Sequence, residues 1–238
     1  ALVATLGALF AGALALSPLA RDRLDSAVRE WRTVTTAGIK TPMGIRNNRY
    51  TVEVPTVTAK LIRPGPIHSN EVRFTRAHAK GGLKVTLPGP MTICDTIADG
   101  HYGRRAGLAM AFAAALNDEA RELEKLGADV IQFDEPAFNV FTDDVTEWGI
   151  AALERAIEGL SCATAVHICY GYGIDANRAW KETLGSEWRQ YEQIFPALNS
   201  SRIGQVSLEC AGSKVPISLI RHLPDKQILV GAIDVANN

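Results

Sequence analysis

The chain has 238 residues, enough for one large α/β domain or two small ones with a sizeable core. With 47% hydrophobic and 21% charged residues, 20 glycines and 11 prolines, its composition excludes a disordered, collagenous or low-complexity protein. A net charge of −1, from 25 basic and 26 acidic residues with no Lys/Arg run, excludes the usual nucleic-acid-binding classes.

Residues 1–20 carry no charge and are rich in Ala, Leu and Gly. Three readings stand side by side: an export signal or anchor, a helix of the fold, and sequence foreign to the fold. Ala13-x-Ala15 would suit a cleavage site, but there is no basic segment before it, and Ala and Gly make a poor membrane span. Residues 21–36 predict a weak helix. Residues 50–62 alternate apolar and polar side chains around Pro55, which predicts an edge strand or hairpin, since proline cannot donate to a central ladder. A short helix is expected over 75–80.

From there a strict alternation sets in. Strands are predicted over 84–87, 129–133, 163–169, 203–208 and 227–233, and helices over 104–126, 146–160, 186–198 and 216–222, with Gly127 ending the first. Parallel neighbours need helical crossovers, so the fold class is α/β with a parallel sheet. Each strand ends in a distinctive group: Pro88-Gly89-Pro90, Asp134-Glu135-Pro136, His167 with Cys169, Glu209, and Asp234. In a (β/α)8 TIM barrel such ends converge on one mouth. No Gly-x-Gly-x-x-Gly follows the first strand, which disfavours a dinucleotide-binding sheet.

His167 and Cys169 lie two apart on one strand and therefore share a face, where they can share a metal. Glu209, on the next strand, could add an oxygen to their nitrogen and sulfur, a set that suits zinc. The pair alone leaves a second reading open, in which Cys169 is a small buried hydrophobe and His167 a hydrogen-bonded strand-end residue. Asp134 and Glu135 could bind a substrate amine, act as a base or cap the following helix, and Asp234 has the same ambiguity. Cys210, next to Glu209, should face the core. His68, His78, His101 and His222 are expected in solvent, and Trp148, Trp180 and Trp188 as packing residues. Four widely spaced cysteines, Cys94, Cys162, Cys169 and Cys210, point to reduced thiols and not to a disulfide scaffold.

Five motifs at five successive strand ends carry a resemblance: LPGPMT (87–92), IQFDEPAF (131–138), HICYGYG (167–173), SLEC (207–210) and VGAID (230–234). From about Arg46 to Asn238 the chain resembles the catalytic barrel of the cobalamin-independent methionine synthase family, most like its short, single-barrel forms. The resemblance implies a cytoplasmic, zinc-dependent methyltransferase of methionine biosynthesis, transferring a methyl group to the thiol of homocysteine. The implied zinc ligands are His167, Cys169 and Glu209, and Asp134 matches the carboxylate that binds the amino group of homocysteine. Glu135 and Asp234 are carried over as catalytic residues of the same mouth. The donor implied by the two-barrel enzymes is a 5-methyltetrahydrofolate polyglutamate.

The sequence also departs from the family pattern. The family's first two strands should precede Arg46, and its fourth zinc ligand, a cysteine on the last strand, has no counterpart up to Asn238. The expectation is therefore an incomplete barrel with strands three to seven recognisable. An atypical apolar and helical segment, 1–40, would stand outside it, and a domain at 41–238 would be truncated at its C-terminus. Open parallel edges call for a partner or an oligomer. The alternatives are a corrinoid-dependent thiol methyltransferase of the same superfamily and an inactive truncated barrel. A porphyrin-decarboxylase relative is disfavoured because it needs no metal. A membrane-associated protein has only the apolar N-terminus in its favour.

Overall fold

The computed structural model describes residues 39–171 and 175–234. The expectations for 1–38, for Tyr172 and Gly173 of the HICYGYG motif, and for the last four residues lie outside them.

The described chain opens with a hairpin of β1 (Lys40–Ile45) and β2 (Tyr50–Val57), paired antiparallel from Lys40↔Pro55 to Ile45↔Tyr50. A two-residue strand, β4 (Ala98–Asp99), adds in parallel to the other side of β2. β2 is thus the central strand of this small sheet and not an edge. Pro55 is tolerated because β4 meets only Thr56 and Val57, so no ladder bond is asked of the position that lacks a donor. The turn between β1 and β2 holds three consecutive non-glycine residues with positive φ, Arg46 at 51°, Asn47 at 57° and Asn48 at 61°.

The main sheet has five strands in the order β3-β5-β6-β7-β8, all parallel. They are β3 (Lys84–Pro88), β5 (Val130–Asp134), β6 (Ala163–Ile168), β7 (Gln205–Glu209) and β8 (Gln227–Gly231). Sheet order follows chain order, so every crossover advances the chain by one place in the same direction, as in a (β/α)8 barrel. The described strands form an arc and do not close, in keeping with the five strands predicted. One face of the arc is apolar: Val85, Leu87, Ile131, Phe133, Val166 and Leu208 are buried against the helices. The other carries Lys84, Thr86, Gln132, Asp134, His167, Gln205 and Ser207, the alternation that period two imposes.

The helices that cover the apolar face are α1 (Ser69–His78), α2 (Pro90–Cys94), α3 (Arg105–Lys125), α4 (Ile150–Ala156) and α6 (Tyr191–Ser200), while α5 (Asp175–Glu182), after β6, meets Arg49 of the hairpin through Asn177 and Trp180. α3 stops as its sequence requires: Gly127, at φ +96°, donates to the Glu124 carbonyl and Ala128 to that of Leu123, closing the last turn. The single helix expected over 146–160 is instead a turn at Thr142–Asp144, a π turn at Val145–Gly149 and then α4. Gly149 sits in that wide turn, where a Cβ would lie 3.1 Å from Met91 Sδ. α1 begins six residues before the predicted start, and α6 begins five residues later than expected. α5 was not predicted: its eight residues place only three apolar side chains, Ala176, Ala179 and Trp180, at helical spacing, too short a pattern to stand out in the sequence. Phe112, Phe133, Phe138, Tyr191 and Phe195 are fully buried between sheet and helices.

Candidate functional site

The polar residues singled out in the sequence gather at the C-terminal ends of β5, β6 and β7. Pairing in register brings Pro88 beside Asp134, Asp134 beside His167, and His167 beside Ser207. Cys169 lies one residue beyond Ile168, as Glu209 lies one beyond its partner Leu208, so these two form the next row toward the mouth on the same face. The three predicted ligands therefore come from two adjacent strand ends, with Asp134 on the third.

Each already has a protein partner. His167 Nδ1 lies 3.0 Å from Ser207 Oγ, which leaves Nε2 as the ring nitrogen available to a metal. Burial lowers the pKa of His167 against the opposing charge of Glu209, favouring the neutral ring that a metal requires. Glu209 is 7% exposed and accepts the Tyr170 backbone N–H at 3.1 Å. The Cys169 carbonyl accepts from Asn139 Nδ2, while burial pushes the Cys169 thiol up to about 11. Among the described residues no three His, Cys, Asp or Glu side chains are gathered tightly enough to hold a metal ion. In donor chemistry the set fits zinc: a nitrogen, a sulfur and an oxygen on neighbouring strand ends, the histidine already oriented through its second nitrogen.

Asp134 is half-buried. Burial raises its pKa to about 6, opposed by a hydrogen bond from Gln132 Nε2 at 2.9 Å and by the charge of Lys84. Glu135, the next residue, points the other way and is wholly buried. Its carboxylate accepts Met91 N–H at 3.0 Å, Thr92 N–H at 2.8 Å and Thr92 Oγ1 at 2.7 Å, at the start of α2. A Cβ on Gly89 would fall 2.1 Å from the Glu135 carboxyl carbon, so glycine is what allows this close approach. Asp234 follows the end of β8 by three residues.

Four residues of the neighbourhood escaped the sequence reading: Ser207, Gln132, Lys84 and Asn139. The first two could have been found, since Ser207 precedes Glu209, and Gln132 precedes Asp134, by two residues on a strand. Lys84 and Asn139 are brought in only by the sheet and by the turn after β5. Cys210 packs half-buried at the core margin, and all four cysteines are free. Trp180 does more than pack: the Arg49 guanidinium lies 3.1 Å above its ring, and Tyr170 stacks on it at 5.7 Å. His78, His101 and His222 are exposed as expected, and His68 is half-buried.

The family model described as cobalamin-independent synthase, catalytic domain, matches residues 39–172. A methionine synthase of Sulfolobus acidocaldarius is 30% identical over 185 residues, covering 77% of this chain and 49% of the relative. One from Saccharolobus solfataricus is 29% identical over 187 residues, with 77% and 50% covered. The solved structure of a B12-independent methionine synthase from Shewanella sp. W3-18-1, in complex with selenomethionine, superposes with a TM-score of 0.80 at 55% identity. That match covers 84% of this chain and 58% of the other. The chain spans about half the length of the curated relatives it matches.

Proposed function

The chain belongs to the cobalamin-independent synthase catalytic-domain family, and from that premise we propose that it transfers a methyl group to the thiol of homocysteine, giving methionine. The observation that carries the reading is the row of Asp134, His167 and Ser207, with Cys169 and Glu209 beyond it, on one face of three adjacent strand ends. Residues 41–238 are the barrel domain that bears this site. The donor is a 5-methyltetrahydrofolate polyglutamate, in keeping with a family described as cobalamin-independent.

In this reading His167, Cys169 and Glu209 hold zinc. Bound zinc supplies a Lewis acid that keeps a substrate thiol ionised near neutral pH, ready to attack a methyl group. Ser207 fixes the ring of His167 through Nδ1. The Tyr170 N–H holds the Glu209 carboxylate, and Asp134 accepts the ammonium group of homocysteine, orienting the thiol. Glu135 supports the mouth from below by tying the turn after β3 to the end of β5, and Asp234 is assigned to the rim after β8. No described helix is long and apolar enough to cross a membrane. We place the protein in the cytoplasm, where its four cysteines stay reduced.

The test is zinc content and methionine formation measured on the same preparations. Wild-type chain should carry about one zinc and form methionine from homocysteine and 5-methyltetrahydrofolate triglutamate. Cys169→Ala should lose most of the metal, and His167→Ala should lower the rate by at least ~100-fold. Methionine formation that survives His167→Ala would overturn the zinc role.

A further inference from the structure

Below Asp134 a chain of polar groups crosses two strands. Lys84 opens β3, while Gln132 and Asp134 lie on β5, where Thr86 pairs with Gln132 and Pro88 with Asp134. All stand on the site's face of the sheet. Lys84 Nζ donates to Gln132 Oε1 at 3.1 Å, and Gln132 Nε2 donates to Asp134 Oδ1 at 2.9 Å. An ammonium group can only donate and an ionised carboxylate can only accept, so the amide between them has a single orientation. Asp134 Oδ1 is thereby committed, and Oδ2 makes no hydrogen bond among the described residues.

The arrangement is costly for a sheet interior. Gln132 is only 9% exposed, and burial lowers the pKa of Lys84 while the charge of Asp134 raises it. Apolar side chains would pack these positions without that desolvation cost. What the chain supplies is a carboxylate fixed in rotation through Oδ1, with Oδ2 left for a further donor, while Gln132 and Lys84 favour the ionised form against the burial that raises its pKa to about 6.

We propose that Lys84 and Gln132 are positioning residues that act through Asp134, presenting Oδ2 to the α-ammonium group of the substrate and so selecting a thiol that carries an α-amino group over one that does not. The inference rests on the homocysteine reading given above.

The experiment is calorimetric titration of the zinc-loaded full chain with two thiols, homocysteine and 4-mercaptobutanoate, which differ only in the amino group. Lys84→Met and Gln132→Met should weaken homocysteine binding about tenfold or more and leave 4-mercaptobutanoate within about twofold, and Lys84→Arg should restore most of the difference. A merely structural role would weaken both thiols alike, and that result, or unchanged homocysteine binding, overturns the proposal. If Lys84→Met does not fold, Lys84→Gln keeps a donor without the charge and reads the same selectivity. A wild-type chain that binds neither thiol overturns the homocysteine reading itself, whereas wild-type selectivity that persists in the variants overturns only the positioning role.

Discussion

Glu135 is fully buried with three donors around its carboxylate, and burial outweighs them, pushing its pKa up to about 7 from an ordinary 4.5. A carboxyl whose pKa is raised on folding contributes stability that is complete below its unfolded value and is lost as pH rises through its folded one. For Glu135 the window is therefore about 4.5 to 7. Measured by urea denaturation, the stability of wild type relative to Glu135→Gln should fall between pH 5 and pH 8 by on the order of 2 kcal/mol, other groups cancelling in the difference. A difference that stays flat across that range would show that the three donors keep the group ionised. Adjacent in sequence, Asp134 and Glu135 offer the same possible roles, as ligand of a substrate amine, base or helix cap. The strand sends one toward the mouth and the other beneath it, so the two carboxylates have separate surroundings.

The hairpin turn makes a prediction at the scale of an element. Arg46, Asn47 and Asn48 all occupy the left-handed region, where a Cβ crowds the following carbonyl and only Gly, Asn and Asp sit readily. Asn47→Val should cost about 1–2 kcal/mol in chemical denaturation, and Asn47→Gly should be neutral or slightly stabilising. Equal stability of the two variants would mean that the turn relaxes to another conformation. Helix α5 belongs to the same scale. Its eight residues are too few for their apolar spacing to stand out in the sequence, yet it brings Asn177 to accept from Arg49 Nη1 at 2.9 Å and to donate to the Tyr170 carbonyl. The Tyr170 backbone, whose N–H holds Glu209 and whose carbonyl accepts from Asn177, is therefore anchored from the hairpin side as well.

Across the whole molecule, two arginines of that turn join the hairpin to the main sheet. Arg49 reaches the segment after β6, and Arg46 pairs at 2.6 Å with Asp95, just after α2, while its backbone N–H lies 3.2 Å from the same carboxylate. Asp95 is 3% exposed, so removing its cation strands a buried charge. Arg46→Ala should lower stability by about 3 kcal/mol, and Arg46→Lys by less, as read from the urea midpoint. A loss below about 0.5 kcal/mol would show that Asp95 is served by its backbone donor alone.

The sequence by itself determined the α/β class, the five parallel strands and their order, and the residues that end them. These are local properties: apolar runs of strand length, a long amphipathic helix stopped by Gly127, and polar groups at regular strand ends, to which the motifs add the family. Tertiary structure alone decided which neighbours those residues meet. Ser207 behind His167, the Tyr170 N–H on Glu209, the chain from Lys84 through Gln132 to Asp134, and the arginine clasp of the hairpin all join segments 39 to 128 residues apart or depend on sheet register. Such pairings leave no mark in a local window, because register and the path of the crossovers set them, and these are settled only when the sheet and its helices pack together.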